Sequence, residues 1–75
     1  MPGLGKTAAV RITVNGETRR VAAGTTVASL LDSLSVPRQA TAVEVNHELV
    51  PRSQHAARRL ADGDAVEIVT LVGGG

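Results

Sequence analysis

The chain has 75 residues, a formal net charge of +1, no cysteine and no aromatic residue. That length holds one small domain, and the missing cysteines exclude a disulfide framework, a thiolate nucleophile and a cysteine zinc site. The missing rings leave no stacking platform for single-stranded nucleic acid, and no apolar run approaches the ~18–20 residues that a membrane span needs.

Residues 1–8, Met-Pro-Gly-Leu-Gly-Lys-Thr-Ala, have no period and read as a flexible N-terminal arm. They show no charged segment ahead of an apolar one, so no secretory signal is read and a cytoplasmic domain is expected. Gly5-Lys6-Thr7 matches the end of a phosphate-binding P-loop, but the glycine that should stand five positions earlier falls off the chain. No nucleotide site is expected there.

Val10, Ile12 and Val14 alternate with Arg11 and Thr13, the two-residue period of a half-buried strand. Asn15-Gly16 is a strong hairpin signal because both residues tolerate positive φ. The return strand, about Thr18 to Ala22, follows a loop of two or four residues. Alternation puts Arg19 on the face of Val21, so its stem must snorkel outward.

Gly24-Thr25-Thr26 precedes a helix that one threonine hydroxyl can cap. Val27, Leu30, Leu31 and Leu34 form one apolar stripe at helical spacing, suited to lying on a sheet. Pro37 ends the helix at about Ser35. Val43 and Val45 flank Glu44 in a further strand, Asn46-His47 is a turn, and Glu48 to Val50 returns to an edge that Pro51 terminates. Residues 52–61 can hold a turn or two of helix anchored by Leu60. Asp62-Gly63-Asp64 is a turn, and Ala65 to Val72 is a strand apolar on both faces, expected at the sheet's centre beside the first strand. No internal repeat or domain linker is read. The expected organisation is an arm at 1–8, a domain at 9–72 and a flexible glycine tail at 73–75.

No catalytic set emerges from these residues. The serine and threonine hydroxyls lack an assigned base, and His47 and His55 sit in polar, turn-like contexts expected at the surface. Eight residues separate the two histidines and no third ligand is evident, so no metal is assigned. Asp62 and Asp64 flank a glycine as turn residues do. Arg19, Arg20, Arg38, Arg52, Arg58 and Arg59 are scattered, as on a solvated surface or a face that docks an acidic partner. Gly73-Gly74-Gly75 has plain readings as a frayed end or a cloning remnant. Its functional reading makes the carboxylate of Gly75 the reactive group, since glycine enters a narrow cleft and leaves its carbonyl open to attack. An α-carboxylate is ionised at neutral pH and is a poor electrophile until activated, for instance as an acyl-adenylate made by a partner with ATP. Nothing in this chain reads as an ATP site.

In order along the chain, Ile12-Thr-Val-Asn-Gly16, Gly24-Thr-Thr-Val-Ala-Ser-Leu-Leu31, Val43-Glu-Val-Asn46, Val50-Pro-Arg52, Leu60-Ala-Asp-Gly-Asp-Ala-Val-Glu-Ile-Val69 and Val72-Gly-Gly-Gly75 resemble the ubiquitin-like β-grasp sulfur carriers. Within them the set is most similar to the thiamine-biosynthesis, ThiS-type branch. The resemblance implies an α+β fold, a mixed sheet of four to five strands with one main helix across one face. It further implies a protein cosubstrate rather than an enzyme, binding no cofactor itself. A ubiquitin-activating-like adenylyltransferase would use ATP to adenylate Gly75, with Gly74 and Gly73 as the approach. Sulfur from a cysteine desulfurase route would convert the adenylate to a thiocarboxylate, which a thiazole synthase would consume. The alternatives are a carrier for molybdopterin or another sulfur metabolite, and a ubiquitin-like covalent modifier. The molybdopterin branch brings proline and phenylalanine to its diglycine, and Val69-Thr-Leu-Val72 has neither.

Overall fold

The structure is a computed structural model that describes residues 8–70, apart from the Arg38 side chain. Most of the expected arm, the last two residues of the expected final strand (Leu71 and Val72) and the glycine tail lie outside the described residues. Ala8, expected in the arm, already accepts the Ala23 N–H at 2.8 Å and closes the mouth of the first hairpin.

Strand β1 (Ala9–Val14) and strand β2 (Glu17–Ala22) form that hairpin around a two-residue loop. Val14 faces Glu17, and Asn15 and Gly16 take φ of +51° and +87°, the pair of positive values that suits the twist of the flanking strands. The loop length open in the sequence is therefore two. Strands β3 (Thr41–Val45) and β4 (Glu48–Val50) repeat the device, with φ of +53° at Asn46 and +69° at His47. Val14-Asn15-Gly16-Glu17 and Val45-Asn46-His47-Glu48 are thus a short structural repeat, which four residues are too few to announce in a sequence.

Strand β5 (Ala65–Thr70) lies between the two hairpins in a five-stranded sheet of order β2-β1-β5-β3-β4. It runs parallel to β1 and antiparallel to β3. The centre expected for this strand is where it lies. Val69 nevertheless stays exposed, because the helix covers only one face of the sheet.

That helix is α1 (Val27–Ser33), and it begins with a capping box between Thr26 and Ser29. The Thr26 Oγ1 accepts the Ser29 N–H, and the Ser29 Oγ accepts the Thr26 N–H. The next donors are met from outside the helix: Val27 donates to the Arg58 carbonyl and Ala28 to that of His55, both at 2.9 Å. Residues 52–61 hold the expected turn of helix, as 3₁₀ (Arg52–Gln54), with Leu60 anchored in the core, and otherwise run as a strap with a bridge from Arg59 to Thr26. The helix ends two residues before Ser35. Leu34 caps it, Ser35 turns to φ +58°, and Val36 donates back to the Leu31 carbonyl at 3.0 Å. This is a Schellman closure with serine where glycine is usual.

Val27, Leu30 and Leu31 meet Ile12, Val14, Val43, Val45, Val50, Leu60 and Val66 in one aliphatic core. Leu34 packs at its margin, so the predicted stripe is the packed stripe. Arg19 faces Ile12 across the hairpin and remains exposed, as snorkelling requires.

Candidate functional site

The glycine tail, whose Gly75 is the expected reactive residue, follows β5 in the chain, so the end of that strand is the part of the described structure nearest to it in sequence. β5 outruns β1: their parallel pairing ends at Val14 and Val66, while β5 continues beside β3 to the pair Thr41 and Thr70. Beyond Val66, the edge left by β1 is taken up by a side chain. The Asn15 Oδ1 accepts the Ile68 N–H at 2.8 Å, and its Nδ2 donates to the Ile68 carbonyl at 3.2 Å. At the start of the strand, on the opposite edge, the Asn46 Oδ1 accepts the Ala65 N–H at 2.9 Å and its Nδ2 donates to Asp64 Oδ1 at 2.9 Å. Each asparagine serves twice, once in the turn backbone and once as an amide on β5.

The sheet face away from the helix is open. Leu49 on β4 and Val69 on β5 are 64% and 56% exposed there, with Ala42 of β3 opposite Val69. The pair Ala42 and Val69 therefore borders the last described stretch of β5, and the next row of that face is Leu49, Glu44 and Glu67. At the other end of this face Arg11 and Arg20 lie opposite each other and line a shallow hollow with Ala9 and Asp62. Asp62 Oδ1 is occupied by the Arg11 N–H at 2.8 Å.

The remaining sequence candidates are structural. Asp64 is buried, accepts from Asn46 and from the Ala61 N–H, and has Arg58 at 3.9 Å. Asp62 and Asp64 do form the expected turn about Gly63, at φ +91°. His47 is an exposed turn residue. His55, expected at the surface, is only 2% exposed: the strap folds it under, with Nε2 3.1 Å from the Val50 carbonyl. A carbonyl only accepts, so Nε2 donates to it, while the buried Nδ1 meets no hydrogen-bond partner. The periodicity of residues 52–61 carried no sign of this burial. Gly5-Lys6-Thr7 and Gly73, Gly74 and Gly75 lie outside the described residues. Among the described residues no group of three or more His, Asp or Glu could hold a metal, and no helix is long and apolar enough to cross a membrane.

Comparison with known proteins places this geometry. The sequence profile of the ThiS family matches residues 12–75, through all three glycines. The chain is 33% identical over 66 residues to the sulfur carrier protein ThiS of Escherichia coli K12, covering 88% of this chain and 100% of that one. It is 44% identical over 66 residues to a thiazole synthase of Paramagnetospirillum magneticum, of whose length it spans only 20%. The crystal structure of the thiamine biosynthesis protein (ThiS) from Geobacter metallireducens superposes with a TM-score of 0.75 at 38% identity, covering 88% of this chain and 100% of that one.

Proposed function

Because the chain belongs to the ThiS family of β-grasp sulfur carriers, we propose that it carries sulfur as a thiocarboxylate at Gly75 and delivers it for the thiazole of thiamine. The observation that supports this most directly is the extent of the family match, which runs through Gly73-Gly74-Gly75 rather than stopping with the fold.

The chemistry follows from the group. The Gly75 carboxylate attacks the α-phosphorus of ATP on a ubiquitin-activating-like adenylyltransferase, and pyrophosphate leaves. The mixed anhydride is now an electrophile with AMP as its leaving group. The terminal sulfur of a persulfide, supplied by a cysteine desulfurase route, expels AMP to give an acyl disulfide. A second thiol reduces that disulfide, leaving the thiocarboxylate. ATP and both thiols belong to partners, in keeping with a chain that contains no cysteine.

Two features of this molecule suit the role. The exposed Leu49 and Val69 would give an adenylyltransferase apolar contacts, and Glu44 and Glu67 charged ones, on the face beside the strand that leads to the glycines. A thiazole synthase contains a segment 44% identical to this chain, which supports a thiazole synthase as the acceptor of the sulfur.

Intact mass spectrometry tests the central step. Incubation with ATP, the adenylyltransferase, a cysteine desulfurase and cysteine should add the mass difference between sulfur and oxygen, and a thiol-alkylating reagent should then add its own alkyl group to that species alone. A chain ended at Val72 should show no such change. Persistence of the unmodified mass alone, with an adenylyltransferase active on another carrier, sinks the reading.

A further inference from the structure

Strand β5 extends past the end of β1, and its peptide groups on that side need partners. The Thr13 N–H takes the Asp64 carbonyl at 3.0 Å, and the Asn15 N–H takes the Val66 carbonyl at 2.9 Å. Alternation turns the N–H and carbonyl of Ile68 to the same side. Here β1 has already turned away into Asn15-Gly16, so no peptide group of β1 can reach them.

The Asn15 side chain occupies that gap. A carboxamide offers one acceptor oxygen and N–H donors, the same functions as a peptide group. With 2.8 Å to the Ile68 N–H and 3.2 Å to its carbonyl, it supplies the next rung of the ladder. The turn itself does not require this. A φ of +51° needs a residue that tolerates the left-handed region, and glycine does so without any side chain.

We propose that Asn15 is the positioning residue of the tail: by acting as a surrogate peptide group it fixes the backbone at Ile68 and so the direction in which the chain leaves Thr70. The proposal rests on Gly75 being the reactive group, because only then does that direction decide how often the carboxylate meets the adenylating centre. A fixed root leaves only the residues beyond Thr70 to be ordered in the adenylating centre, whereas a frayed one adds Ile68 to Thr70 to that stretch, and each added residue costs backbone entropy. The face proposed above for docking carries Leu49 on β4 and Val69 on β5, away from Asn15, so a loss at Asn15 should fall on turnover more than on binding.

The test compares Asn15→Gly, Asn15→Asp and Thr26→Ala with the wild type. Asn15→Gly keeps the turn and removes both bonds; Asn15→Asp keeps the acceptor for the Ile68 N–H and loses the donor. Thr26→Ala weakens the helix cap and leaves the clamp alone. Amide hydrogen exchange at Ile68 should accelerate about tenfold or more in Asn15→Gly and less in Asn15→Asp, while Ile12, Val43 and Val45 keep their protection in both. In adenylation assays kcat should fall about tenfold in Asn15→Gly with KM unchanged, and Thr26→Ala should match the wild type. Unchanged exchange at Ile68 in Asn15→Gly overturns the proposal, as does a kcat that falls equally in Thr26→Ala. A wild-type chain that is never adenylated refutes the role of Gly75 instead, and the exchange at Ile68 then judges the clamp by itself.

Discussion

His47 and Ser35 each hold a left-handed backbone conformation that a β-carbon disfavours, at φ +69° and +58°. The first is the second residue of a hairpin loop, where the equivalent position in the other hairpin is Gly16; the second is the Schellman position of α1. Glycine at either site removes a steric cost of about 1–2 kcal/mol and adds unfolded-state entropy worth about 0.4–1 kcal/mol. The steric relief is the larger, so His47→Gly and Ser35→Gly should each stabilise the domain by about 0.5–1 kcal/mol. Urea titration followed by far-ultraviolet circular dichroism should show a raised midpoint at an unchanged slope. Circular dichroism is the natural probe, as no ring is present to fluoresce. His55 presents the opposite case. Its removal leaves the Val50 carbonyl without its donor and opens space beneath the strap, so His55→Ala should lose about 2–4 kcal/mol in the same titration.

Between elements, Asp64 holds three segments together at the start of β5. Its two oxygens take the Asn46 side chain and the Ala61 backbone separately. Asp64→Asn keeps one acceptor and turns an NH₂ toward the other donor, for an expected loss of about 1–3 kcal/mol. A lowered melting temperature in that variant, with β-sheet circular dichroism retained below it, is the outcome to look for. The elements themselves were largely legible. Alternation marked β1 and β3, an apolar run rich in β-branched residues marked β5, the 3.6-residue stripe marked α1 and Asn-Gly the first turn, because each signal is local. Of the strap at 52–61, the turn of helix and the Leu60 anchor were legible and the attachment to the helix was not. That attachment depends on the carbonyls of Arg58 and His55 accepting the Val27 and Ala28 N–H groups at the helix terminus, and a carbonyl leaves no trace in side-chain identity. For the same reason Asn15 and Asn46 read as turn residues alone. Their amides act on Ile68 and Ala65, about fifty and twenty residues away, and that separation is set by topology.

Across the whole molecule, the two faces of the sheet are divided between stability and contact. The helix side carries the core, and the other carries Leu49 and Val69 in the open. Leu49 stands opposite Glu44, so Leu49→Lys exchanges an exposed apolar side chain for a cross-strand ion pair and should leave the melting temperature unchanged. If this face docks the adenylyltransferase, the same variant should raise KM for adenylation by at least about tenfold with little change in kcat. An unaltered KM would place docking elsewhere, with the arginine pair Arg11 and Arg20 the next surface to alter.

The order β2-β1-β5-β3-β4 also bears on how such a molecule comes into being. In the sheet of the described residues β1 and β3 are not ladder partners, and the ladder between the two hairpins runs through β5. A lone two-stranded hairpin is marginal in water, so the five-stranded sheet closes only once residues 65–70 have left the ribosome. Vectorial synthesis therefore delivers the organising strand last, immediately ahead of the glycines. Any nascent chain that has closed its sheet has already been translated to the threshold of its tail, and one cut short earlier has no sheet with which to occupy a partner.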